Sequence, residues 1–583
     1  MSTTLGDGAQ GAHDTTPTAR TGFRFGWRVG SFRPRLWAWS WLWWTAFYML
    51  PLVSGYLMKL AFDRLERSEP VGAVLVAAGV TEMARWVVFG AAIWVVVRWW
   101  VAGLTMMRTN MLHAQTVSGG PRAARLPGSP AESIARFQDD TRDALLWTDS
   151  WLDAVGTLAF AAVALAVIAT VEPWAAAVMV IPIVLVAAIT RFLTPRLYAA
   201  RAADRAAASG VTSFLGEAFS GVQAIRLAGK EDQAVARLER YTGRRRRTAV
   251  RDTVLTQAVD GLSSSTADLM IGLTLLVLAP GVRSGSLGVG DVALVVVYAT
   301  QLGEAPRQIA RLITAREQAF VSFGRMQALV AVDRPDDLLD HRPVTIEPGD
   351  HMLERDADPE RAPLQELRVR GLRAVHPSTG GGVHEIDLHV RRGEFVVVTG
   401  PVGAGKTTLL RTLVGLEASQ AGTIEWNGEP VADPAAWFVP PNSAFVGQVP
   451  NLFSESIAAN VALGRTIVDL DEVLALAALT HDVAGMPDGL GTMIGARGLR
   501  LSGGQAQRVA TARSLATRPE LLVVDDLSSA LDVRTERELW DRLSAMTDTT
   551  VIAVSHRQLA FDRATQIIHL AAGHRVSPEE HPG

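Results

Sequence analysis

Gly400-Pro401-Val402-Gly403-Ala404-Gly405-Lys406-Thr407-Thr408 decides how this 583-residue chain is read. It follows Phe395 to Thr399, an apolar run that predicts a buried parallel strand. It precedes Leu409-Leu410-Arg411-Thr412-Leu413, which predicts a helix. A glycine-rich turn between strand and helix lets backbone N–H groups converge on phosphates at the helix N-terminus. Gly400, Gly403 and Gly405 permit the close approach, Lys406 can reach the β/γ-phosphates, and Thr407 can ligate Mg²⁺. Composition adds weight to the lysine. Lys and Arg total 56, yet the lysines are Lys59, Lys230 and Lys406 alone. A sequence so biased towards arginine keeps a compact ammonium in this turn, where a planar guanidinium behaves differently.

The length exceeds what one core holds, so several domains are expected. Lys and Arg (56) nearly balance Asp and Glu (59), which gives no ground for a nucleic-acid partner. The absence of cysteine excludes disulfides, thiolate metal sites and thiol nucleophiles. The 48% hydrophobic and 20% charged averages conceal two unlike parts. Residues up to about 330 hold apolar runs of membrane length, and the rest reads as a soluble α/β domain.

Residues 1–20 are small and polar, are expected to be disordered, and lack the apolar core of a signal peptide. Phe23, Phe25, Trp27 and Phe32 then interleave with Arg24, Arg28, Arg33 and Arg35, which suits a segment lying on an inner leaflet; a basic linker is the alternative. From 21 to 330 a helical membrane domain with cytoplasmic helix extensions is expected, its six spans near 37–60, 71–101, 151–171, 174–193, 257–280 and 291–312. Trp37, Trp39, Trp41, Trp43 and Trp44 open the first span and Trp99 and Trp100 close the second, as an interfacial aromatic belt predicts. Arginine is concentrated in the N-terminal arm and the 102–150 and 194–256 connections, which puts these and both termini in the cytoplasm by the positive-inside rule. Glu82 and Arg85, three apart, share a helix face and can pair, whereas Asp260 and Asp268 lie two turns apart in the fifth span. Charges at membrane depth are candidates for a substrate path, unless they lie in helix extensions beyond the hydrocarbon. The 214–226 segment is an amphipathic helix continuing through Lys230 and Glu231, and 128–137 begins with a turn and becomes a short helix.

Residues 331–363 read as a linker, and strands alternate with helices from 364 to 583. Leu521 to Asp526 is another buried strand ending in two carboxylates. Asp525 can hold Mg²⁺ through its shell, and Asp526 lies where a water-activating group is useful. Thr550 to Ser555 is a third strand with His556 at its exit, placed to meet a γ-phosphate rather than to serve as a surface histidine. In Leu501-Ser502-Gly503-Gly504-Gln505, Ser502 and Gln505 have capping-box spacing, so a helix starts there with unpaired N–H groups and a positive dipole end. That is a second anion site in the same domain. Two such sites make sense if a nucleotide is clamped between the glycine turn of one domain and this helix of another.

With these motifs in place the chain, after residue 20, resembles an ABC transporter half-unit of the exporter type, with a six-span α-helical membrane domain ahead of an α/β P-loop nucleotide-binding domain. In that resemblance Gly400 to Thr408 is Walker A, Gln448 in Phe445-Val446-Gly447-Gln448 the Q-loop, Leu501 to Gln505 the signature, Asp525 Walker B, Ser529 to Asp532 the D-loop and His556 the switch histidine. It implies ATP and Mg²⁺ as cofactors, with Thr407, Gln448 and Asp525 around the metal and Asp526, His556 and Gln448 around the reacting phosphate. It also implies two halves closing on two ATP molecules, and 128–137 and 214–226 as the regions of the coupling helices. His376, before Pro377, falls where the family usually stacks an aromatic ring on adenine.

The family usually has glutamate at the position of Asp526. Losing a methylene withdraws the carboxylate by about 1.5 Å, and a misplacement of about 1 Å can cost ~10²-fold in rate. The acidic positions usual before the signature are absent from Thr492-Met493-Ile494-Gly495-Ala496-Arg497-Gly498. In heterodimeric exporters one half often pairs aspartate at this position with an intact signature, so the resemblance implies a heterodimer with a second half-transporter, a weakly active homodimer being the alternative. ATP-driven export of an amphipathic or lipid-like compound across a bacterial inner membrane is the expected function. Uptake or lipid flipping on the same scaffold, and an ATP-binding regulatory subunit, are the competing readings.

Overall fold

The computed structural model describes residues 19–116, 130–330, 335–344, 361–376, 380–467, 469–495, 500–527 and 531–577. They fall into two units, one built from 19–111 with 130–344 and the other from 112–116 with 361–577.

The first unit is helical: α1 (Ala19–Ser31), α2 (Pro34–Glu66), α3 (Gly72–Thr116), α4 (Pro130–Ala135), α5 (Thr141–Val171), α6 (Pro173–Ser220), α7 (Val222–Leu227), α8 (Glu231–Ser264), α9 (Thr266–Arg283), α10 (Val289–Leu302) and α11 (Ala305–Gln327). Among the described residues, five helical stretches are long and apolar enough to cross a membrane: Pro34–Glu66, Gly72–Thr116, Ser133–Val171, Pro173–Ser220 and Glu231–Arg283. The expected span at 291–312 is not one helix, because the chain turns at Gly303 and Glu304 between α10 and α11. The fifth expected span, 257–280, is interrupted at Ser265, between α8 and α9. The segment expected to run as one helix from 214 past 231 is also divided, by Gly221 and by the turn at 228–230.

Proline and glycine shape this bundle. Pro34 and Pro173 sit in the first turns of α2 and α6, where a missing N–H costs nothing, and the Glu172 side chain accepts from Trp174 N at 3.4 Å. Glycines let neighbouring helices meet closely. A Cβ on Gly156 of α5 would lie 2.4 Å from the ring of Tyr48, and one on Gly55 of α2 would lie 2.4 Å from Tyr298. Phe160, Met179, Met270 and Tyr298 fill the core between α5, α6, α9 and α10.

The second unit holds β1 (Glu366–Val375), β2 (Gly382–Arg391), β3 (Phe395–Thr399), α12 (Lys406–Leu413), β4 (Ala421–Trp426), β5 (Glu429–Pro430), α13 (Pro434–Trp437), β6 (Ser443–Val446), α14 (Ile457–Ala462), α15 (Leu470–Leu476), α16 (Thr480–Ala484), α17 (Gly503–Leu515), β7 (Leu521–Asp525), α18 (Val533–Ser544), β8 (Thr550–Val554), α19 (Gln558–Phe561), β9 (Gln566–Ala571) and β10 (His574–Val576). One sheet is antiparallel, in the order β2-β1-β4-β5. The other runs β10-β9-β3-β8-β7-β6, with β9, β3, β8, β7 and β6 parallel. Strands β3, β7 and β8 are buried along their whole length, as the continuous apolar runs predict for a parallel sheet covered on both faces. Parallel strands deliver their C-terminal ends to one edge, which is where open α/β sheets bind ligands. At the opposite end the buried carboxylate of Glu520 fixes the entry of the chain into this unit. It accepts from Arg361 Nε at 2.5 Å and from Leu364 N at 3.2 Å.

Candidate nucleotide site

The turn after β3 has a backbone that only glycine tolerates. Gly400 has φ +144° and Gly405 φ +92°; a Cβ on Gly400 would lie 2.0 Å from Leu570 O, and one on Gly405 2.4 Å from Gly382 O. With side chains excluded from this floor, the turn leads into α12, whose first N–H groups have no acceptor within the helix. Lys406 opens that helix. Its ammonium donates to the carbonyls of Gly400 (2.8 Å) and Pro401 (2.9 Å), so the charge lies back over the turn rather than in solvent. Burial lowers its pKa, against the opposing pull of Asp525 and Asp526.

The ends of β7 and β8 bring the remaining groups to the same edge. Asp525 is buried, and its Oδ1 accepts from Thr407 Oγ1 at 3.2 Å. Burial raises its pKa and Asp526 adds to that, whereas the Thr407 hydrogen bond, Arg411 and Lys406 work the other way. Asp526 adopts a left-handed backbone, φ +51°, which a short aspartate accepts more readily than a longer side chain. Its Oδ2 accepts from Gln448 Nε2 at 3.2 Å. Gln507 of α17 donates to the backbone oxygens of Gln448 (3.2 Å) and Asp526 (3.4 Å), tying the two segments together. His556 is held below the usual histidine range by burial and by the Lys406 charge, with Asp526 opposing. That shift favours the neutral ring, in which one nitrogen donates and the other accepts.

The residues fit the groups that the sequence implies. A hydroxyl and a carboxylate converging beside a lysine form an oxygen-donor set suited to Mg²⁺. A Cβ fits at neither Gly400 nor Gly405, so the turn offers a ligand its backbone there rather than side chains. Pro401, Val402, Gly403 and Ala404 complete the turn, Thr408 follows within α12, and Val402 stands 99% exposed at the tip of the turn. His376 is exposed at the hairpin turn between β1 and β2, which returns at Gly382 against Gly405. Pro377, and Ser529 and Ala530 of the expected D-loop, lie outside the described residues. Asp532 caps α18, accepting from Arg534 N and Thr535 N at 3.1 Å.

Ser502 caps α17 as its spacing predicts. Its Oγ accepts from Gln505 N at 3.2 Å, and its N–H donates to Gln505 Oε1 at 3.0 Å. Gly503 and Ser502 are exposed at the helix start, and Gly504 is buried. The reading of the sequence missed what holds this start in place, Asp482 of α16. Asp482 accepts from Gln505 Nε2 at 2.9 Å and from both terminal nitrogens of Arg508, at 2.6 and 3.2 Å. Burial alone would raise the Asp482 pKa, but the Gln505 bond and the Arg508 pair outweigh it and keep the carboxyl low. No local pattern flags Asp482, because its partners lie more than 20 residues away.

In the membrane unit Glu82 and Arg85 do pair, at 3.8 Å, with Ser54 Oγ donating to Glu82 at 2.6 Å and Arg85 lying 4.8 Å from the Phe47 ring. Asp260 and Asp268 are exposed, Asp268 in the first turn of α9. A polar cluster that the sequence reading did not name joins α2, α5 and α11. Tyr48 donates to Asp153 at 2.9 Å, Arg311 lies 3.5 Å from Asp153, and Gln308 donates to Tyr48 at 3.4 Å. Asp153, inside the third expected span, was the available signal.

Comparison with known proteins agrees with this geometry. The model of ABC transporter transmembrane regions matches residues 131–305, and the ABC transporter model matches 383–529. The chain is 28% identical over 379 residues to the ATP-dependent lipid A-core flippase of Chromobacterium violaceum, covering 64% of this chain and 62% of that protein. It is 31% identical over 317 residues to the beta-(1→2)glucan export ATP-binding/permease protein NdvA of Rhizobium meliloti, covering 54% and 51%. The matches thus span less than two thirds of either relative. A solved bacterial Atm1-family ABC exporter with ATP bound superposes with a TM-score of 0.71 at 20% identity, over 91% of this chain and 93% of that one, which establishes a shared fold. The chain therefore joins an ABC transporter transmembrane region to an ABC transporter ATPase domain in one polypeptide, with the fold of an ABC exporter.

Proposed function

We propose that the chain is one half of a dimeric, ATP-driven transporter that moves an amphipathic or lipid-like compound across a bacterial inner membrane. The observation that carries this is the convergence of Lys406, Thr407 and Asp525 on one glycine turn, in a chain that also carries long apolar helices. Lys406, the backbone of the turn and the start of α12 hold the ATP phosphates. Thr407 and Asp525, with Gln448, hold Mg²⁺, which supplies charge neutralisation at the phosphates when bound. His376 lies beside the adenine. The named activities of the relatives, lipid flipping and glucan export, support an amphipathic or glycan-bearing cargo. Arginine-rich connections favour a cytoplasmic nucleotide domain and termini.

Asp526 shapes the rest of the reading. It stands one methylene short of a glutamate and is engaged by Gln448, so this chain's own site binds ATP and hydrolyses it slowly. The capping box at Ser502, braced by Asp482, is intact and completes the site of a companion half. This favours a heterodimer. The same observation supports a second reading, a nucleotide-binding regulatory half with little turnover. Liposomes holding the chain and its companion half separate them. ATP-dependent movement of a fluorescent amphipath between leaflets, followed from both sides, is expected and reports direction. ATP turnover with no movement of any amphipath would overturn the transport reading.

A further inference from the structure

Helices α6 and α8 run side by side, and a cavity of about 270 Å³ opens between them. Ala199, Ala200 and Ala203 of α6 form one wall, and Arg247, Thr248 and Arg251 of α8 the other. Arg247 and Arg251 are four residues apart and so project from the same helix face. Neither guanidinium has an ion-pair or hydrogen-bond partner among the described residues. The nearby carboxylates are already engaged: Asp252 pairs with Arg201 at 3.7 Å, and Asp204 accepts from Thr248 at 3.1 Å. The site therefore presents two guanidinium groups against a small apolar wall. Guanidinium forks suit phosphate, because two parallel N–H groups meet two oxygens.

Height along the helices narrows the ligand. On the reading that 174–193 and 257–280 cross the bilayer, Ala199 follows one span end by six residues and Arg251 precedes the other by six. At about 1.5 Å per residue both walls begin about 9 Å beyond the hydrocarbon, just past a headgroup layer of about 5–7 Å and within reach of arginine side chains extended towards it. We propose that this groove binds the phosphate-bearing headgroup of an anionic lipid from the adjoining leaflet. Arg247 and Arg251 take the phosphate, and the alanine wall takes the carbon skeleton next to it. The proposal rests on the membrane placement above and not on nucleotide turnover.

The test uses the full chain in nucleotide-free phosphatidylcholine nanodiscs doped with dioleoylphosphatidylglycerol, with retained lipid read by native mass spectrometry. The wild type is expected to retain phosphatidylglycerol over phosphatidylcholine. Arg247→Gln with Arg251→Gln is expected to weaken retention by about 25-fold, at about fivefold per arginine near a charged surface. Arg244→Gln with Arg245→Gln removes the same charge from α8 outside the cavity and is expected to retain the lipid; circular dichroism confirms that both pairs stay helical. Equal loss in the two pairs would overturn the site, as would no preference in the wild type. Displacement of the lipid by an equal concentration of inorganic phosphate would overturn the lipid source. Because no nucleotide is present, failure here leaves the transport reading standing.

Discussion

Replacing Asp526 with glutamate is expected to raise ATP hydrolysis by the chain and, at the same time, to lower its melting temperature. The carboxylate of Asp526 now accepts from Gln448 Nε2 at 3.2 Å, at the exit of a strand whose preceding residue, Asp525, is fixed by Thr407. A further methylene advances the carboxylate by about 1.5 Å. If that distance is what limits proton transfer from the attacking water, the gain is about 10²-fold, or about 2.7 kcal/mol of barrier. The backbone at Asp526 has φ +51°, and glutamate gives up the relative ease with which aspartate occupies that region, at a cost of about 1 kcal/mol. For a domain of this size that lowers the melting temperature by about 2–4 °C. The assay is steady-state phosphate release from the purified chain in nanodiscs, with Lys406→Ala as the zero and calorimetry alongside. An unchanged rate in a variant that still binds ATP would refute the geometric argument. So would robust wild-type turnover abolished by Lys406→Ala.

Further outcomes follow from the same site. Gly405→Ala forces a Cβ to within 2.4 Å of Gly382 O at φ +92° and is expected to abolish retention of a fluorescent ATP analogue, checked by anisotropy. Asp482→Ala leaves the buried guanidinium of Arg508 without its carboxylate and is expected to cost about 3–5 kcal/mol, read as a lower denaturation midpoint, whereas Ser502→Ala removes one cap and costs about 1 kcal/mol. The depressed pKa of His556 gives stability that is full above the unfolded value and is lost as pH falls through the folded one. ATP adds negative charge beside it and raises that pKa, so binding near pH 6 takes up a proton. Calorimetry in buffers of different ionisation enthalpy should show this uptake, and His556→Ala should remove it.

The local parts of this account were legible in the sequence because their physics is local. A glycine turn between an apolar run and a helix, and a serine three residues before a glutamine, each specify their own geometry, and the turn at Gly400 to Thr408 and the cap at Ser502 formed as read. Contacts distant in sequence were not legible. Asp482 carries no motif, and only the fold brings it to Gln505 and Arg508. Gln507 lies two residues past the signature stretch, and its tie to Gln448 and Asp526 depends on how α17 packs against β6. In the membrane unit hydropathy located the apolar stretches but not their breaks. Ser265 and Gly303 interrupt runs whose average hydropathy stays high, and a sliding average cannot see a single turn.

The central claim is that this chain holds ATP at its own turn and supplies Ser502 to the site that hydrolyses it. The direct measurement is ATP turnover by the assembled dimer with Lys406→Ala or with Ser502→Arg in this chain. The account predicts that Lys406→Ala leaves most of the turnover and that Ser502→Arg, which places a bulky cation over the helix start, removes about 10²-fold of it. Equal loss from both variants would contradict it.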